Sequence, residues 1–238
     1  MSAVIVTGAA GAIGQATAAW FAGRGESVLL VDRDEAVHRV AEDLCGEGAT
    51  AAACAVDLTA PDAGAAVAAA CEPLGRPRVL VNNAGITRDA RLRKMEEEDF
   101  RLVIRVNLVS PLKLAEAIAP QLEPGGAIVN VASRAAFGNF GQANYVAAKS
   151  ALIGATRAQA LRWAPRIRVN AVAPGLVDTP MTRAMPAEVW DRLIGRVPLA
   201  RAGAPEEIAG VVGFLGSPDA AYVTGQVLVA CGGRSVAG

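Results

Sequence analysis

The feature that most constrains this chain is an alternation. Seven short Val/Ile/Leu-rich runs are separated by longer segments rich in alanine and polar residues. The runs are AVIVT from Ala3, SVLLVD from Ser27, TAAACAVD from Thr50, PRVLVNN from Pro77, GAIVNVAS from Gly126, IRVNAVAP from Ile167 and GQVLVACGG from Gly225. Continuous apolar runs are what strands covered on both faces require, and strand–helix alternation requires parallel pairing. The pattern therefore predicts an α/β fold, a doubly wound parallel sheet of about seven strands flanked by helices. Alanine-rich stretches such as AAVAAAC, ending at Cys71, read as helical filler between these strands.

A length of 238 residues suits one domain, and no Pro/Ser-rich linker or shift in composition divides it. The longest stretch without a clear pattern, Val177 to Ala204, is expected to be irregular and to act as a substrate lid. Lys+Arg and Asp+Glu both number 23, and no basic stripe is interleaved with aromatics, so nucleic acid is not an expected partner. The four cysteines (Cys45, Cys54, Cys71, Cys231) stand far apart, and His38 is the only histidine. No metal site and no Ser-His or Cys-His triad is expected, and the thiols are expected to be reduced and buried. Without a leader pattern or an apolar run of about 18 residues, the chain is expected to be cytoplasmic and not a membrane protein.

The first run leads into TGAAGAIGQATA. Glycines at Gly8, Gly11 and Gly14 permit a sharp turn and a close approach of backbone to ligand, and the helix that follows offers its N-terminal N–H groups to a pyrophosphate. The second run ends at Asp32, 18 residues beyond Gly14. A carboxylate there accepts hydrogen bonds from both adenosine ribose hydroxyls and repels a 2′-phosphate, which favours NAD over NADP. Arg33 could soften that preference by stacking on adenine or meeting a phosphate. Downstream, NYVAAKSA places Tyr145 and Lys149 on one helix face. Tyrosine titrates near pH 10 unperturbed, too high for proton exchange at neutral pH, and a nearby ammonium favours the phenolate.

TGAAGAIG, VDL at Val56, NNAG at Asn82, VNL at Val106, Ser133, YVAAK at Tyr145 and PGLVDTP at Pro174, in this order, resemble the short-chain dehydrogenase/reductase family along essentially the whole chain. The resemblance implies a Rossmann-type fold and a nicotinamide-dependent oxidoreductase. One departure stands in the first motif: the family's T-G-x-x-x-G-x-G has Ala12 at its middle glycine, with Gly11 one position earlier. A methyl group is expected to be tolerated where φ is negative. At Gly11 many NADP-using relatives carry a basic residue, and its absence adds to the NAD reading.

By the same resemblance, Tyr145 is the general acid/base at the substrate oxygen, and Lys149 lowers its pKa and holds the nicotinamide ribose. Ser133 positions the substrate oxygen, and Asn107 holds a water that connects Lys149 to solvent. Gly8, Gly11, Ile13 and Gly14 would meet the pyrophosphate, and Asp57 and Leu58 the adenine. Asn83 and Ala84 would border the adenosine ribose, Val177 and Thr179 the carboxamide, with Pro174 and Gly175 beneath the nicotinamide ring. Phe137, Phe140, Met181, Met185 and Trp190 are candidates for an apolar substrate pocket.

Phrases such as NAGITRD and GNFGQANY are most similar to the 3-oxoacyl-thioester reductases, and a small aryl, cyclic or steroid alcohol is the other substrate reading. Members that dock an acidic carrier protein use basic residues before the fifth strand. Here Glu123 and Pro124 occupy that place, with Arg162, Arg166 and Arg168 near the second docking position, so carrier docking lacks half its usual support. The resemblance implies a homotetramer, with the helices containing Asn107 and Tyr145 packed across a two-fold axis. A non-catalytic NAD(H)-binding sensor or scaffold would need Gly8–Gly14 and Asp32 but no proton-transfer residues.

Overall fold

The computed structural model describes residues 2–236. Seven strands form one sheet: β1 (Ser2–Thr7), β2 (Ser27–Asp32), β3 (Ala51–Ala55), β4 (Arg76–Asn82), β5 (Ala127–Val131), β6 (Arg168–Pro174) and β7 (Val227–Ala230). They lie in the order β3-β2-β1-β4-β5-β6-β7, every pairing parallel. The predicted doubly wound sheet is present. After β3 the chain returns to lay β4 on the free side of β1, so strand order reverses between them. A crevice opens there, beyond the strands' C-terminal ends.

Alternation along β1 divides the core between the two faces. Val4 and Val6 join Phe21 of α1 (Ala12–Ala22), Val37 of α2 (Ala36–Gly46) and Ile208, Val212 and Leu215 of α9 (Pro205–Gly216). Ala3 and Ile5 join Val67 of α3 (Ala63–Cys71) and Leu114 and Ile118 of α5 (Ser110–Ile118). Each strand thus serves two cores, which is why the central runs carry no polar alternation. The edge strand β3 is only half-buried along its length, so full cover fails there.

Two further expectations are corrected. The segment 177–204 is not irregular: it holds α7 (Pro180–Arg183) and α8 (Ala187–Ile194). Of the cysteines, Cys71 and Cys231 are buried, but Cys45 is exposed and Cys54 half-buried. The 21-residue helix α6 (Ala143–Trp163) carries Tyr145 and Lys149, and a π-helical turn, Arg105–Val109, joins α4 (Glu97–Ile104) to α5. No helix among the described residues is long and apolar enough to cross a membrane, and no cluster of His, Cys, Asp and Glu among them could hold a metal.

Candidate active site

The crevice is a cavity of about 690 Å³ running from Asp32 and Arg33 to Ser133 and Thr179. At its centre Gly8 takes φ 66°, a conformation that favours glycine. A Cβ on Gly14 would meet Gly8 O at 2.1 Å, so the first turn of α1 presses directly onto the loop. Gly11 is the N-cap of α1 and its φ of −84° requires no glycine, while Ala12 begins the helix. Among the described residues only Ala200 is a non-glycine with positive φ, so the methyl at Ala12 sits without strain. The first N–H groups of α1, like those of any helix, lack intrahelical partners, and no side chain caps them. An uncapped N-terminus beside a side-chain-free turn fits a dinucleotide pyrophosphate.

Thr7 holds this loop to the neighbouring strand. Its Oγ1 donates to Val81 O at 3.2 Å and accepts from Asn83 N at 2.9 Å and Ala84 N at 3.1 Å. Asn83 returns the contact, Nδ2 donating to Thr7 O at 2.9 Å and Gly8 O at 3.1 Å. Asp32 works on the other side: Oδ2 accepts from Ala10 N at 3.0 Å and Oδ1 from Asp34 N at 3.1 Å. Asp57 Oδ1 accepts from Thr59 N at 2.8 Å. Those bonds to Thr59, helped by the charges of Arg33 and Arg105, hold the Asp57 carboxyl below its ordinary range. The Arg33 charge thus acts on Asp57, and Arg33 follows Asp32 directly in the chain.

At the far end, Ser133, Tyr145 and Lys149 line the same cavity. Ser133 ends the chain's run out of β5, and its Oγ accepts from Ala135 N at 3.1 Å. Asn144 anchors the start of α6, its Nδ2 donating to Arg88 O at 2.9 Å and its Oδ1 accepting from Tyr145 N at 2.8 Å. Lys149 is buried and its Nζ donates to Val131 O at 2.8 Å. Burial drives its pKa down to about 8. Burial also raises the Tyr145 phenol, with Asp89 adding to the rise and a hydrogen bond from Ser133 opposing it. Among these causes Ser133 is the group that favours the phenolate.

Asn107 lies beneath the cavity, fully buried in the π-helical turn. Its Oδ1 accepts from Ile86 N at 3.2 Å, and its Nδ2 donates to Ile86 O and Val103 O, both at 2.9 Å. The turn frees backbone carbonyls that an α-helix would consume, and the side chain answers one of them. A Cβ on Gly85 would stand 2.6 Å from Asn107 Oδ1 and 3.5 Å from Lys149 Nζ. The absent side chain lets Asn107 Oδ1 pack closely against Gly85 on the side that faces Lys149.

Every residue expected at the cofactor lines this cavity: Gly8, Gly11, Ile13, Gly14, Asp32, Arg33, Asp57, Leu58, Asn83, Ala84, Tyr145, Lys149, Pro174, Gly175, Val177 and Thr179. The expected apolar substrate pocket is not gathered in the same way. Phe137, Phe140, Met185 and Trp190 are not among the cavity's lining residues. Phe137 and Phe140 are exposed at 60% and 84%, because the turn after Ser133 carries their rings outward, where Phe140 meets the Arg91 guanidinium. The side chain of Met181 lies outside the described part of the structure. Ile86, Thr87, Leu102, Val106 and Thr182 line the cavity instead and were not foreseen; Val106 stands in the VNL motif, but no motif assigned any of the five a role of its own.

Comparison with known proteins agrees with this geometry. The family model described as Enoyl-(Acyl carrier protein) reductase matches residues 8–235. The 3-oxoacyl-[acyl-carrier-protein] reductase FabG of Thermotoga maritima is 42% identical over 235 residues, 96% of each chain. The (2S)-[(R)-hydroxy(phenyl)methyl]succinyl-CoA dehydrogenase subunit BbsD of Thauera aromatica is 38% identical, covering 98% of this chain and 96% of its own. A crystal structure from Brucella melitensis, described as a short-chain dehydrogenase/reductase, glucose/ribitol dehydrogenase, superposes with a TM-score of 0.90 at 34% identity, over 98% of this chain and 96% of that one. That of gox2181 gives 0.93 at 32%, over 99% and 96%. On sequence and fold together, the chain belongs to the short-chain dehydrogenase/reductase family, oxidoreductases that act on CH–OH and ketone groups with a nicotinamide cofactor.

Proposed function

We propose that this protein is a cytoplasmic, NAD(H)-dependent enzyme that interconverts a secondary alcohol and its ketone, with a 3-hydroxyacyl/3-oxoacyl thioester as the substrate class. The observation that carries the reading is convergence. Ser133, Tyr145 and Lys149 share one cavity with the Gly8–Gly14 loop and Asp32, so groups able to move a proton and groups able to hold a dinucleotide face the same space. A sensor or scaffold would need only the second set. When bound, the nicotinamide exchanges hydride with the substrate carbon and, oxidised, brings a positive charge beside the phenol.

The protein's own part is to bind, orient and handle the proton. Tyr145 Oη gives a proton to the carbonyl oxygen on reduction and takes it back on oxidation, and the Ser133 hydroxyl fixes that oxygen by hydrogen bonding. Lys149, with a pKa of about 8, is poised to pass a proton near neutrality and to hold the ribose hydroxyls. Glycine at position 85 lets the Asn107 side chain come close to Lys149, which supports a role for Asn107 in holding a water on the proton path from Lys149 to solvent.

Asp32, Arg33 and Asp57 line the same cavity, so a 2′-phosphate there would meet two carboxylates and one guanidinium; this supports NAD over NADP. The segment 177–204 suits a lid because its ends are pinned: Asp178 N donates to Gly203 O at 2.8 Å and Gly203 N to Leu176 O at 3.0 Å, while α7 and α8 lie between. The thioester class is supported by relatives named as 3-oxoacyl-[acyl-carrier-protein] reductases and as a succinyl-CoA-type dehydrogenase. Exposed Leu161 on α6 and Val109 in the π-helical turn support pairing of these helices in a homotetramer. The test is turnover of acetoacetyl-CoA, aryl ketones and cyclic alcohols with each cofactor, followed at the NADH absorbance band. NAD(H)-dependent turnover is expected, and cofactor binding without any turnover overturns the reading.

A further inference from the structure

Three guanidinium groups without an anionic partner among the described residues lie near the reacting end of the cavity, though outside its lining. Arg134 follows Ser133 directly in the chain. Arg234 sits on the loop after β7, which is tied to the cavity wall where Gly175 N donates to Ala230 O at 2.8 Å. The same loop is tied to the segment after α8, where Leu199 N donates to Gly232 O at 3.2 Å; Arg196 lies on that segment. The backbone thus brings the segments of Arg196 and Arg234 together, and the Arg134 charge, carried on the turn that follows Ser133, is close enough to act on Arg234.

Among the described residues, none of these three side chains takes part in an ion pair. Arg134 Nε is buried without any hydrogen-bond partner. Neighbouring arginines are treated differently: Arg183 bonds Asp178 at 2.5 Å and Arg201 bonds Glu207 at 2.6 Å. Burial holds the Arg234 guanidinium below its ordinary range, and the charges of Arg134 and Arg196 add to this, with Cys231 opposing them. Repulsion of Arg234 by Arg134 and Arg196 and a buried unpaired donor both cost stability. A fold tolerates such a conflict where a ligand supplies the missing charge. Planar guanidinium forks match carboxylate and phosphate oxygens.

We infer that Arg134, Arg196 and Arg234 form an anion-recognition site for the part of the substrate remote from the reacting carbon. It selects carbonyl compounds that carry a carboxylate or a phosphate. The inference rests on the proposed function, since it takes the Ser133–Tyr145 end as the place of reaction. It goes beyond it by naming the charge of the substrate and the residues that read it.

The test uses matched substrates and the full-length NADH-loaded protein. One pair is acetoacetyl-CoA and its N-acetylcysteamine thioester, which differ in phosphates; the other is a keto acid and its methyl ester, which differ in one carboxylate. Arg134→Gln, Arg196→Gln and Arg234→Gln are each expected to lower kcat/KM at least about tenfold for the anionic member of one pair. The neutral member should stay within about twofold and NADH affinity unchanged. Which pair responds identifies phosphate or carboxylate as the anion read. Equal losses on both members of each pair, or no loss on either, overturn the inference. Calorimetric binding of succinate and of inorganic pyrophosphate to the NADH-loaded protein separates the two readings. Anion binding that the triple variant loses, in a protein that turns over no ketone, overturns the catalytic reading alone. Failure of both anions to bind, in a protein that reduces neutral ketones, overturns the arginine site alone.

Discussion

Lys149 Nζ stands 5.6 Å from the centroid of the Tyr145 ring while donating to Val131 O at 2.8 Å, so the ammonium is held by a strand end rather than by the phenol beside it. Burial sets the charge balance of this pair. It makes the lysine a weaker base and the tyrosine a weaker acid than either is in water.

A pH dependence of stability follows. Below pH about 8 the folded and unfolded chains both carry the Lys149 proton, and the native state bears the full cost of a buried charge. Between about 8 and the ordinary value of 10.5 the unfolded chain binds a proton that the native chain lacks, so stability rises with pH. Lys149→Met should abolish that rise. Thermal melts of the cofactor-free protein from about pH 7 to 10 are expected to show the wild type gaining on the variant as pH increases. A constant offset would contradict the assignment.

Gly85→Ala places a methyl group where Asn107 Oδ1 and Lys149 Nζ face each other. We expect kcat to fall at least about tenfold, with NADH affinity changed by less than about threefold, because the substitution blocks the proton path rather than the cofactor. Stopped-flow turnover together with fluorescence titration of NADH measures both. A parallel loss of NADH binding would show that the substitution disturbs the cofactor site instead.

Asp32→Asn removes the charge at the end of β2 while keeping an acceptor for Ala10 N. The ratio of kcat/KM for NADH over NADPH should fall at least about tenfold, since repulsion of a 2′-phosphate is lost. Unchanged discrimination would place the choice with Arg33 and Asp57.

Much of the fold was legible because β1, β2, β4, β5 and β6 are buried on both faces, and burial on both faces leaves an unbroken apolar run in the sequence. The cavity lining at Gly8, Asp32, Asn83 and Tyr145 was legible because each belongs to a motif with fixed spacing. Other features left no local trace. The π-helical turn at Asn107 depends on how α4 and α5 meet, and α8 lies in a segment whose helical periodicity spans only two turns. Phe137 and Phe140 were expected inward on hydrophobicity alone, but a tight turn decides their direction. The gathering of Arg134, Arg196 and Arg234 is a product of the tertiary fold, and no spacing in the sequence announces it.

The most direct measurement of the central claim compares wild-type protein with Tyr145→Phe in the ketone panel, with NADH binding determined on the same samples. The substitution removes one hydroxyl from the cavity wall and leaves the Gly8–Gly14 loop and Asp32 untouched. The predicted result is a loss of at least about three orders of magnitude in kcat with NADH affinity retained. Turnover by Tyr145→Phe close to wild type would contradict the account.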